Sequence, residues 1–427
     1  MNFPQYNHMQ TTTSTGAEPS IDTLESKEVQ FLVSAGEASG DMYAASVVQR
    51  LHPVFPFARF YGCAGPKLRD AGVLPVIDAS SIAVVGLAEV VRHLPRIYSE
   101  YRKLLRFALQ NHPVAALLTD SPDFHLRLAR HLKDAGIPVF YLVAPQVWAW
   151  RQSRVKTIAR LVDKLFCLFP FEEAWFRDRG VDATYIGHPL AYSVRTTASR
   201  SEFFAAHGLP GGRTVVTLLP GSRPGEIARH MPTLLDAVAL LRQKHELSVL
   251  LASAEGFNAR RAFDSFREPI SSLAIQIIEN DTWNCIGHSD LALAASGTVT
   301  VEAAVLGTPM VAFYKVNPAS WFAGRRLVKV PFLSMVNLIA DRQVVPELIQ
   351  HEMTPARLAA EAGNLLTNDA RAGRMRSDLA QVRSALICAG DPFARVADEI
   401  ARALGPAQDI SIYPGRLRET IGENAQS

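Results

Sequence analysis

The sequence lacks the features that mark several common classes of protein. Its four cysteines, in a chain of 427 residues, lie far apart and form no Cys-x-x-Cys pair. This spacing argues against a zinc site and fits free thiols in a reducing compartment, so we expect a cytoplasmic protein. The sequence also has no long run of lysine and arginine, and its formal net charge is only +3. A nucleic-acid-binding groove is therefore not expected.

Apolar runs long enough to cross a membrane are missing as well. The longest uncharged stretch that is rich in apolar residues, Ala135 to Trp150, is interrupted by Pro138 and Pro145. It is shorter than the roughly 20 residues that a spanning helix needs. Residues 1–28 are rich in Thr, Gln, Asn and Ser and have no apolar core of a secretory signal, so we expect a disordered tail. Residues 411–427 are expected to form a second polar tail.

The sequence does contain a regular alternation of apolar, strand-like runs with helix-like segments. We predict strands at Val29–Val33, Ala58–Cys63, Val114–Thr119, Val139–Val143, Lys164–Leu168, Val215–Leu219, Ser248–Ala252, Ala274–Ile278, Leu291–Ala294 and Met310–Tyr314. Alternation at this spacing is typical of βαβ units in parallel sheets. The sequence therefore predicts an α/β protein with two Rossmann-like, doubly wound domains that face a central cleft.

The predicted boundary between the domains follows the segment Tyr185 to Leu190. A polar stretch, Ser193 to Ser201, separates the two series of strands there. We expect an N-terminal domain at residues 29–190 and a C-terminal domain at residues 191–410. A final helix around Pro392 to Leu404 is a candidate for crossing back to the first domain.

A phosphate-binding loop is predicted at the start of the second series, in Leu218-Leu-Pro-Gly-Ser-Arg223. A strand ends there, Gly221 lets the backbone approach a ligand, and a helix begins near Pro224. Free N–H groups at a helix start attract anions, and Arg223 adds a forked, permanently charged partner beside Ser222. We therefore expect this half of the chain to hold a nucleotide.

The corresponding loop of the first series, Ser34 to Asp41, has the opposite charge. It carries Glu37 and Asp41, which would repel a pyrophosphate and suit sugar hydroxyls or packing better. We therefore expect the first half to hold the second substrate.

A candidate functional carboxylate, Asp120, directly follows the predicted strand Val114–Thr119. Asp123 is its rival, but Ser121 and Pro122 ahead of it are typical of a helix start. Because chemistry in such domains sits at the carboxyl ends of strands, we favour Asp120 over Asp123 as the functional carboxylate.

A second anion cradle is predicted at Ser296-Gly297-Thr298. A helix follows it, and Glu302 lies four residues after Thr298 on the same helix face, where a carboxylate can accept hydrogen bonds from a ribose diol. The alternative is that Ser296 and Thr298 only cap the helix, and that the negative charge of Glu302 interacts favourably with the positive end of the helix dipole. The residues alone leave both interpretations open.

Eight segments together resemble the lipid-A-disaccharide synthase family, in the order in which that family has them. They are Ser34–Asp41 (SAGEASGD), Ala83–Val90 (AVVGLAEV), Asp120–Phe124 (DSPDF), Ala144–Trp150 (APQVWAW), Gly187–Leu190 (GHPL), Leu218–Ile227 (LLPGSRPGEI), Ala295–Glu302 (ASGTVTVE) and Val336–Ala340 (VNLIA). The similarity spans about residues 29 to 400. It implies the two-Rossmann GT-B architecture and an inverting glycosyltransferase of lipid A biosynthesis.

The implied reaction transfers 2,3-diacylglucosamine from UDP to 2,3-diacylglucosamine 1-phosphate, forming the β-1,6-linked disaccharide 1-phosphate and UDP. The resemblance implies that Asp120 and Arg223 are catalytic, and that no cofactor is needed. The other residues that it implies are Gly221, Ser222, Ser296, Gly297, Thr298 and Glu302 at UDP, and Glu37, Ser39 and Asn337 on the acceptor side or in the cleft. No Asp-x-Asp pair occurs in the chain, so we also expect transfer without a metal ion.

Acylated substrates require a surface that accepts hydrocarbon, so we expect peripheral association with the inner face of the cytoplasmic membrane. Two segments combine apolar and basic residues as an interfacial surface does: Ala83 to Phe107, with Val84, Val85 and Leu87, and Trp321 to Phe332, with Phe322, Arg325 and Arg326. Each could instead be an ordinary amphipathic helix that packs on its own sheet.

Two other functions fit the same scaffold. A different UDP-sugar enzyme, such as an epimerase or a peptidoglycan-type transferase, would share the nucleotide-binding half. A non-catalytic nucleotide sensor would keep Arg223 and Glu302 but have no need for Asp120. Replacing Asp120 with alanine separates the enzyme from the sensor, because only an enzyme has turnover to lose.

Overall fold

The computed structural model describes residues 29–82, 87–253, 259–318, 321–322 and 328–405, with side chains left out at 87–92 and 259–260. Seven strands form a first sheet: β1 (Gln30–Ala35), β2 (Arg59–Ala64), β3 (Val73–Asp78), β4 (Ala115–Thr119), β5 (Val139–Leu142), β6 (Lys164–Cys167) and β7 (Ala183–Tyr185). The helices that accompany it are α1 (Ala38–Leu51), α2 (Pro66–Asp70), α3 (Leu87–Asn111), α4 (Pro122–Asp134), α5 (Val147–Trp150), α6 (Val155–Leu161), α7 (Pro170–Arg177) and α8 (Leu190–Ser193).

Six strands form a second sheet: β8 (Thr214–Leu219), β9 (Leu247–Ser253), β10 (Ile275–Glu279), β11 (Leu291–Ala295), β12 (Met310–Tyr314) and β13 (Glu347–Ile349). Its helices are α9 (Arg200–His207), α10 (Pro224–Arg242), α11 (Ala259–Ala262), α12 (Arg267–Ser272), α13 (Thr282–Gly287), α14 (Thr298–Leu306), α15 (Met335–Ala340), α16 (Pro355–Thr367), α17 (Asp369–Ala385) and α18 (Pro392–Leu404). Short 3₁₀ turns occur at Ala79–Ser81, Gln152–Arg154, Asp264–Phe266 and Gln350–Glu352.

Every strand pairing in both sheets is parallel, which confirms the predicted fold class of two Rossmann-like sheets. The inner strands are short, continuous apolar runs, such as β4 and β11, and their residues are buried. Strands of this kind have helices on both faces, so alternation of polar and apolar residues is not needed.

The strand order places a topological switch point in each sheet. The first sheet runs β3-β2-β1-β4-β5-β6-β7 and the second runs β10-β9-β8-β11-β12-β13. The order reverses between β1 and β4, and again between β8 and β11. Ligands of open α/β sheets bind in the crevice at such points, outside the carboxyl ends of the strands. The loops that follow these four strands are therefore the first place to look for a site.

All ten predicted strands are present, but three observed strands were missed: β3, β7 and β13. Each lies at an edge of its sheet. β7 and β13 have only three residues each, and β3 contains Pro75. An edge strand pairs on one side only, so it tolerates proline and short length and leaves a weak sequence signal.

The chain crosses between its two halves twice. The first crossing leads from β7 through α8, and the second leads from α17 to α18. The two crossings lie side by side, because Tyr185 Oη donates to the Ala385 carbonyl at 2.7 Å and the His188 N–H donates to the Leu386 carbonyl at 2.9 Å.

The last helix, α18, returns to the first half. The ring of Phe393 lies 5.6 Å from that of Tyr43 on α1, and Asp391 forms an ion pair with Arg50. We propose that the first domain comprises residues 29–190 together with this helix, and that the second begins at residue 191. The predicted tails at residues 1–28 and 411–427 lie outside the described residues.

Candidate active site

The carboxylate of Asp120 lies at the switch point of the first sheet. Ala35 at the end of β1 is paired with Thr119 at the end of β4, so the loop after β1 lies beside Asp120. The N–H of Gly36 donates to Asp120 Oδ1 at 2.9 Å, and the N–H of Glu37 donates to Oδ2 at 3.1 Å. The loop therefore holds both oxygens of one carboxylate from its backbone.

The backbone of Asp120 is held as firmly as its side chain. Its φ is +56°, in the left-handed region that costs a residue with a Cβ roughly 1–2 kcal/mol. Two donors converge on its carbonyl oxygen, His125 Nδ1 at 2.9 Å and the hydroxyl of Tyr141. His125 is buried and its Nε2 lies 2.7 Å from Ser34 Oγ. These contacts keep a strained residue in one conformation.

The close approach of α1 to Asp120 requires a glycine. A Cβ at Gly40, on the first turn of α1, would lie 1.7 Å from Asp120 Oδ2. Any other residue would displace the carboxylate or the helix. The second glycine of the segment SAGEASGD therefore makes room for Asp120.

Burial sets the protonation of this cluster. It raises the pKa of Asp120 to about 7, even though the N–H bonds from Gly36 and Glu37 act in the opposite direction. Burial also lowers the pKa of His125 to about 4, so this imidazole is neutral at pH 7. A neutral His125 that donates from Nδ1 to the Asp120 carbonyl can accept from Ser34 at Nε2.

The other polar residues of the first loop have different environments. Glu37 and Ser39 are exposed at the start of α1. Asp41 is buried, and its carboxylate accepts from the N–H groups of Gly65 at 2.7 Å and Lys67 at 2.8 Å at the start of α2. Of the two loop acids, Asp41 therefore serves packing and only Glu37 is open to a ligand.

Asp123, the rival of Asp120, lies in the first turn of α4 with 68% of its side chain exposed. It forms ion pairs with Arg154 and, at 3.7 Å, with Arg151. Its carboxylate is neither buried nor held by the loop after β1.

A pocket of about 630 Å³ lies at the switch point of the second sheet. Its lining includes all seven residues predicted for the UDP site: Gly221, Ser222, Arg223, Ser296, Gly297, Thr298 and Glu302. Leu219 at the end of β8 is paired with Ala294 on β11, which brings the two predicted anion loops together. The first turns of α10 and α14 begin at these loops.

Arg223 is the N-cap residue of α10, and 62% of its side chain is exposed. Its Nη1 lies 3.4 Å from Oε1 of Glu226, which also accepts from Tyr314 Oη at 3.0 Å. Gly221 has a φ of +111°, and a Cβ there would lie 2.7 Å from Glu226 Oε2. Glu226 thus supports both the glycine turn and the arginine.

The side chains of Ser296 and Thr298 do not cap α14, as the alternative interpretation required. The N-cap residue of α14 is Gly297, without a side-chain cap, and Ser296 Oγ donates to the Leu333 carbonyl at 2.8 Å. Glu302 accepts from Trp283 Nε1 at 3.2 Å, and burial raises the pKa of its carboxyl.

One electrostatic interaction links α1 of the first half to the pocket of the second half. Burial, assisted by the charge of Glu302, raises the pKa of Tyr43 to about 12. Tyr43 is on α1, the helix that begins beside Asp120, whereas Glu302 lines the pocket of the second half.

Asn337, predicted to face the cleft, is instead buried with its amide fully hydrogen-bonded. Its Oδ1 accepts from the N–H groups of Val344 at 2.7 Å and Val345 at 2.9 Å. Its Nδ2 donates to the Val345 carbonyl at 3.0 Å and to Glu347 Oε1 at 2.7 Å. In this structure Asn337 shapes the loop before β13 and has no free polar atom for a ligand.

Most of the predicted acyl or membrane residues cannot be located. Val84, Val85, Arg325 and Arg326 lie outside the described residues, and only the backbone of Leu87, in α3, is described. Trp321 is partly buried and Phe322 is exposed. Among the described helices, none combines the length and apolar content needed to cross a bilayer.

Several residues around the two switch points were missed from the sequence. In the second half they include Asn280, Asp281 and Trp283, which line the pocket from the loop after β10 and from α13. In the first half they are His125 and Tyr141. None lies in a glycine-rich turn. Tyr141 reaches Asp120 because β5 pairs with β4, whereas His125 lies on α4, five residues after Asp120.

Comparison with solved structures supports the fold. A glycosyltransferase from Rickettsia africae is 13% identical, with a TM-score of 0.53 over 90% of this chain and 98% of that one. UDP-GlcNAc 2-epimerase from Neisseria meningitidis, bound to UDP-GlcNAc, is 11% identical, with a TM-score of 0.56 over 87% of this chain and 99% of that one. At these identities the likeness establishes the GT-B-like fold and not the activity.

Comparison of sequences is more specific. A lipid-A-disaccharide synthase from Solibacter usitatus is 55% identical over 84% of this chain and 93% of its own. One from Geobacter metallireducens is 41% identical over 90% of this chain and 99% of its own. The family model for lipid-A-disaccharide synthetase matches residues 31–390. With this match and these identities, the chain belongs to the lipid-A-disaccharide synthase family.

Proposed function

We propose that this chain is the glycosyltransferase that forms the lipid A disaccharide, using UDP-2,3-diacylglucosamine as donor and 2,3-diacylglucosamine 1-phosphate as acceptor. The observation that carries the proposal is the pairing of two switch points. One holds the carboxylate of Asp120, fixed by the loop after β1, and the other holds a glycine-lined pocket with the guanidinium of Arg223. A base and an anion pocket are the two parts that displacement of a diphosphate by a hydroxyl requires.

In the proposed reaction Asp120 is the general base. It accepts the proton of the acceptor 6-hydroxyl as that oxygen bonds to the anomeric carbon of the donor. The bond from that carbon to the diphosphate oxygen breaks, and UDP leaves with the electron pair from the opposite face, which inverts the anomeric configuration. A carboxyl whose pKa is about 7 is well matched to this role at neutral pH.

Arg223 and the helix starts of α10 and α14 stabilise the departing diphosphate in this proposal. Negative charge develops on the leaving oxygen, and a guanidinium together with free N–H groups at a helix start favours that charge. Glu302 accepts hydrogen bonds from the ribose diol, and Gly221, Ser222, Ser296, Gly297 and Thr298 surround the UDP. Glu37 and Ser39, which are exposed beside Asp120, contact the acceptor.

Both substrates carry acyl chains, so the protein has to meet them at the surface of a lipid bilayer. We propose peripheral association with the inner face of the cytoplasmic membrane, with the segments Ala83–Phe107 and Trp321–Phe332 as its apolar and basic contacts. The support is compositional, since apolar residues next to basic ones suit an anionic interface.

The test is incubation of the purified protein with both substrates and mass spectrometry of the lipid product. We expect one disaccharide 1-phosphate and one UDP per transfer, and no product from Asp120→Ala. Release of UDP without a disaccharide, or conversion of the donor sugar to its epimer, would contradict the proposed reaction.

A further inference from the structure

A basic and aromatic cluster lies at the carboxyl edge of the first sheet and has no part in the reaction described above. It consists of Trp150, Arg151 and Arg154, which follow β5 through α5, and of the carboxylate of Asp123 on α4. β5 is the neighbour of β4, and both arginines pair with Asp123, three residues after Asp120, so the cluster lies at the same end of the sheet as Asp120. We call this group the Arg151 cluster.

The Arg151 guanidinium is held in place but not neutralised. Its Cζ lies 4.1 Å from the centroid of the Trp150 ring, and 42% of its side chain is exposed. Its ion pair with Asp123 is a loose one, Nη1 to Oδ1 at 3.7 Å, and that carboxylate already pairs with Arg154. Two guanidinium groups therefore share one exposed carboxylate, which leaves positive charge available for an anion.

Trp148 and Trp150, close to Arg151 in the sequence, anchor the cluster to the first half. Trp148 is buried, and its Nε1 donates to Glu172 Oε1 at 3.0 Å. Ala149, between the two tryptophans, accepts from the backbone N–H of Lys329 at 2.8 Å. That hydrogen bond joins the second half of the chain to this edge and brings a further exposed lysine close to the cluster.

We propose that the Arg151 cluster binds the phosphate monoester of the acceptor. This inference rests on the proposed function and assigns a subsite within it. A planar guanidinium matches two phosphate oxygens, and stacking on Trp150 presents its N–H edge in one orientation. The acceptor must place its hydroxyl at Asp120 and its phosphate at the other end of the sugar. The Arg151 cluster, beside Asp120 on the same sheet edge, is where that phosphate reaches.

The experiment compares two acceptors, 2,3-diacylglucosamine with and without its 1-phosphate, in neutral detergent micelles with saturating donor. A hydrogen bond to a charged group stabilises a complex more than a neutral one does. We therefore expect the wild-type protein to prefer the phosphorylated acceptor by roughly 10- to 100-fold in kcat/KM. We expect Arg151→Gln to lose most of this preference by raising the KM for the phosphorylated acceptor, while kcat/KM for the acceptor without phosphate stays unchanged. Arg151→Lys should fall between the two, because it keeps the charge but not the fork.

The matched control is Arg179→Gln. Arg179 also stacks on a tryptophan, with its Cζ 4.1 Å from the centroid of Trp175, but it follows α7 and lies away from the carboxyl edge of the sheet. It should keep the wild-type preference. If Arg151→Gln kept that preference while folded to the same extent as Arg179→Gln, the proposal would be wrong.

A second arm separates the acceptor phosphate from lipid headgroups. Vesicles of phosphatidylcholine with and without phosphatidylglycerol are mixed with the wild type and with Arg151→Gln. We expect equal vesicle binding by both proteins. Loss of binding only to the anionic vesicles, with the acceptor preference intact, would assign the cluster to lipid headgroups and overturn the proposal. A wild-type protein that made no disaccharide from either acceptor would refute the proposed function itself.

Discussion

The two switch points of this protein are built in opposite ways. In the first sheet, Asp120 is fixed by the N–H groups of Gly36 and Glu37 at its carboxylate and by His125 and Tyr141 at its carbonyl. In the second sheet, Arg223 is 62% exposed, and its nearest acid, Glu226, is 3.4 Å away. The carboxylate is held in one place before any ligand arrives, whereas the guanidinium is mostly exposed and its contact with Glu226 is long.

The difference suits the two tasks that we propose. A general base works best when its position and its pKa are set in advance. Hydrogen bonds fix the position of Asp120, and burial raises its pKa. A cation that follows a diphosphate from the bound donor to the departing UDP gains from an exposed side chain that can exchange a long contact with Glu226 for the ligand. The comparison therefore predicts that changes at the first switch point affect turnover, and that changes at the second affect binding as well.

The largest effect is expected at the fixed carboxylate. Asp120→Asn removes the base but keeps the side-chain shape, and turnover should fall roughly 10²- to 10⁴-fold. Initial rates of UDP release measure it. The control is Asp182→Asn, which removes an exposed carboxylate that pairs with Lys164 beside β7 and should leave turnover within about twofold. Equal losses in both variants would show that Asp120 has no special role.

A smaller but still severe loss of activity is expected when Arg223 is replaced. Arg223→Gln should lower kcat/KM for the donor about 10²-fold, since removing one electrostatic donor has a cost of this size. Arg267→Gln is the control, because Arg267 is also exposed and pairs with an acid three residues away, Asp264. A loss in kcat/KM for the acceptor, with that for the donor unchanged, would contradict the assignment of Arg223 to the diphosphate.

The pH dependence of kcat/KM should follow the ionisation of Asp120 at the first switch point. Only ionised Asp120 can accept a proton, and its pKa is about 7. Below that value kcat/KM should fall about tenfold for each pH unit, and above it the rate should level off. The residual activity of Asp120→Asn should lack this rise. A wild-type profile that stayed flat between pH 6 and pH 8 would mean that the base titrates elsewhere.

The smallest effect is expected from the groups that position Asp120. Tyr141→Phe removes one donor to its carbonyl and leaves His125 in place, so we expect a loss of about 1 kcal/mol in stability and a several-fold fall in kcat with little change in KM. The control is Tyr61→Phe in the same sheet, whose buried hydroxyl has no hydrogen-bond partner within the described ranges. Thermal unfolding and kcat of both variants measure the difference. A fall in stability without any fall in kcat would show that Tyr141 has only a structural role.

The sequence predicts much of the fold and of the second switch point, because both depend on local signals. Apolar runs of four to seven residues mark the inner strands. Glycine followed by a helix start marks the loops at Gly221 and Gly297, and every residue predicted there lines the same pocket. Three of the four edge strands, β3, β7 and β13, were missed, since edges leave weaker patterns.

The support around Asp120 could not be predicted in the same way. Tyr141 reaches Asp120 only because β5 pairs with β4. His125 is just five residues from Asp120, but the sequence does not show that α4 turns its ring back to the Asp120 carbonyl. Asn337 is a case in which the motif misleads. The segment VNLIA predicted that Asn337 faces the cleft, but its side chain is buried and hydrogen-bonded within the second half. A motif identifies a pattern of residues, but tertiary contacts decide whether a polar atom faces a ligand.

The most direct test of the two-part site is titration of UDP into Asp120→Asn and Arg223→Gln by calorimetry. If the base and the diphosphate cation are separate parts on opposite sides of one cleft, Asp120→Asn should bind UDP with nearly the wild-type Kd although its turnover is lost. Arg223→Gln should bind UDP at least about tenfold more weakly. Loss of UDP affinity in Asp120→Asn, or wild-type affinity in Arg223→Gln, would contradict the account.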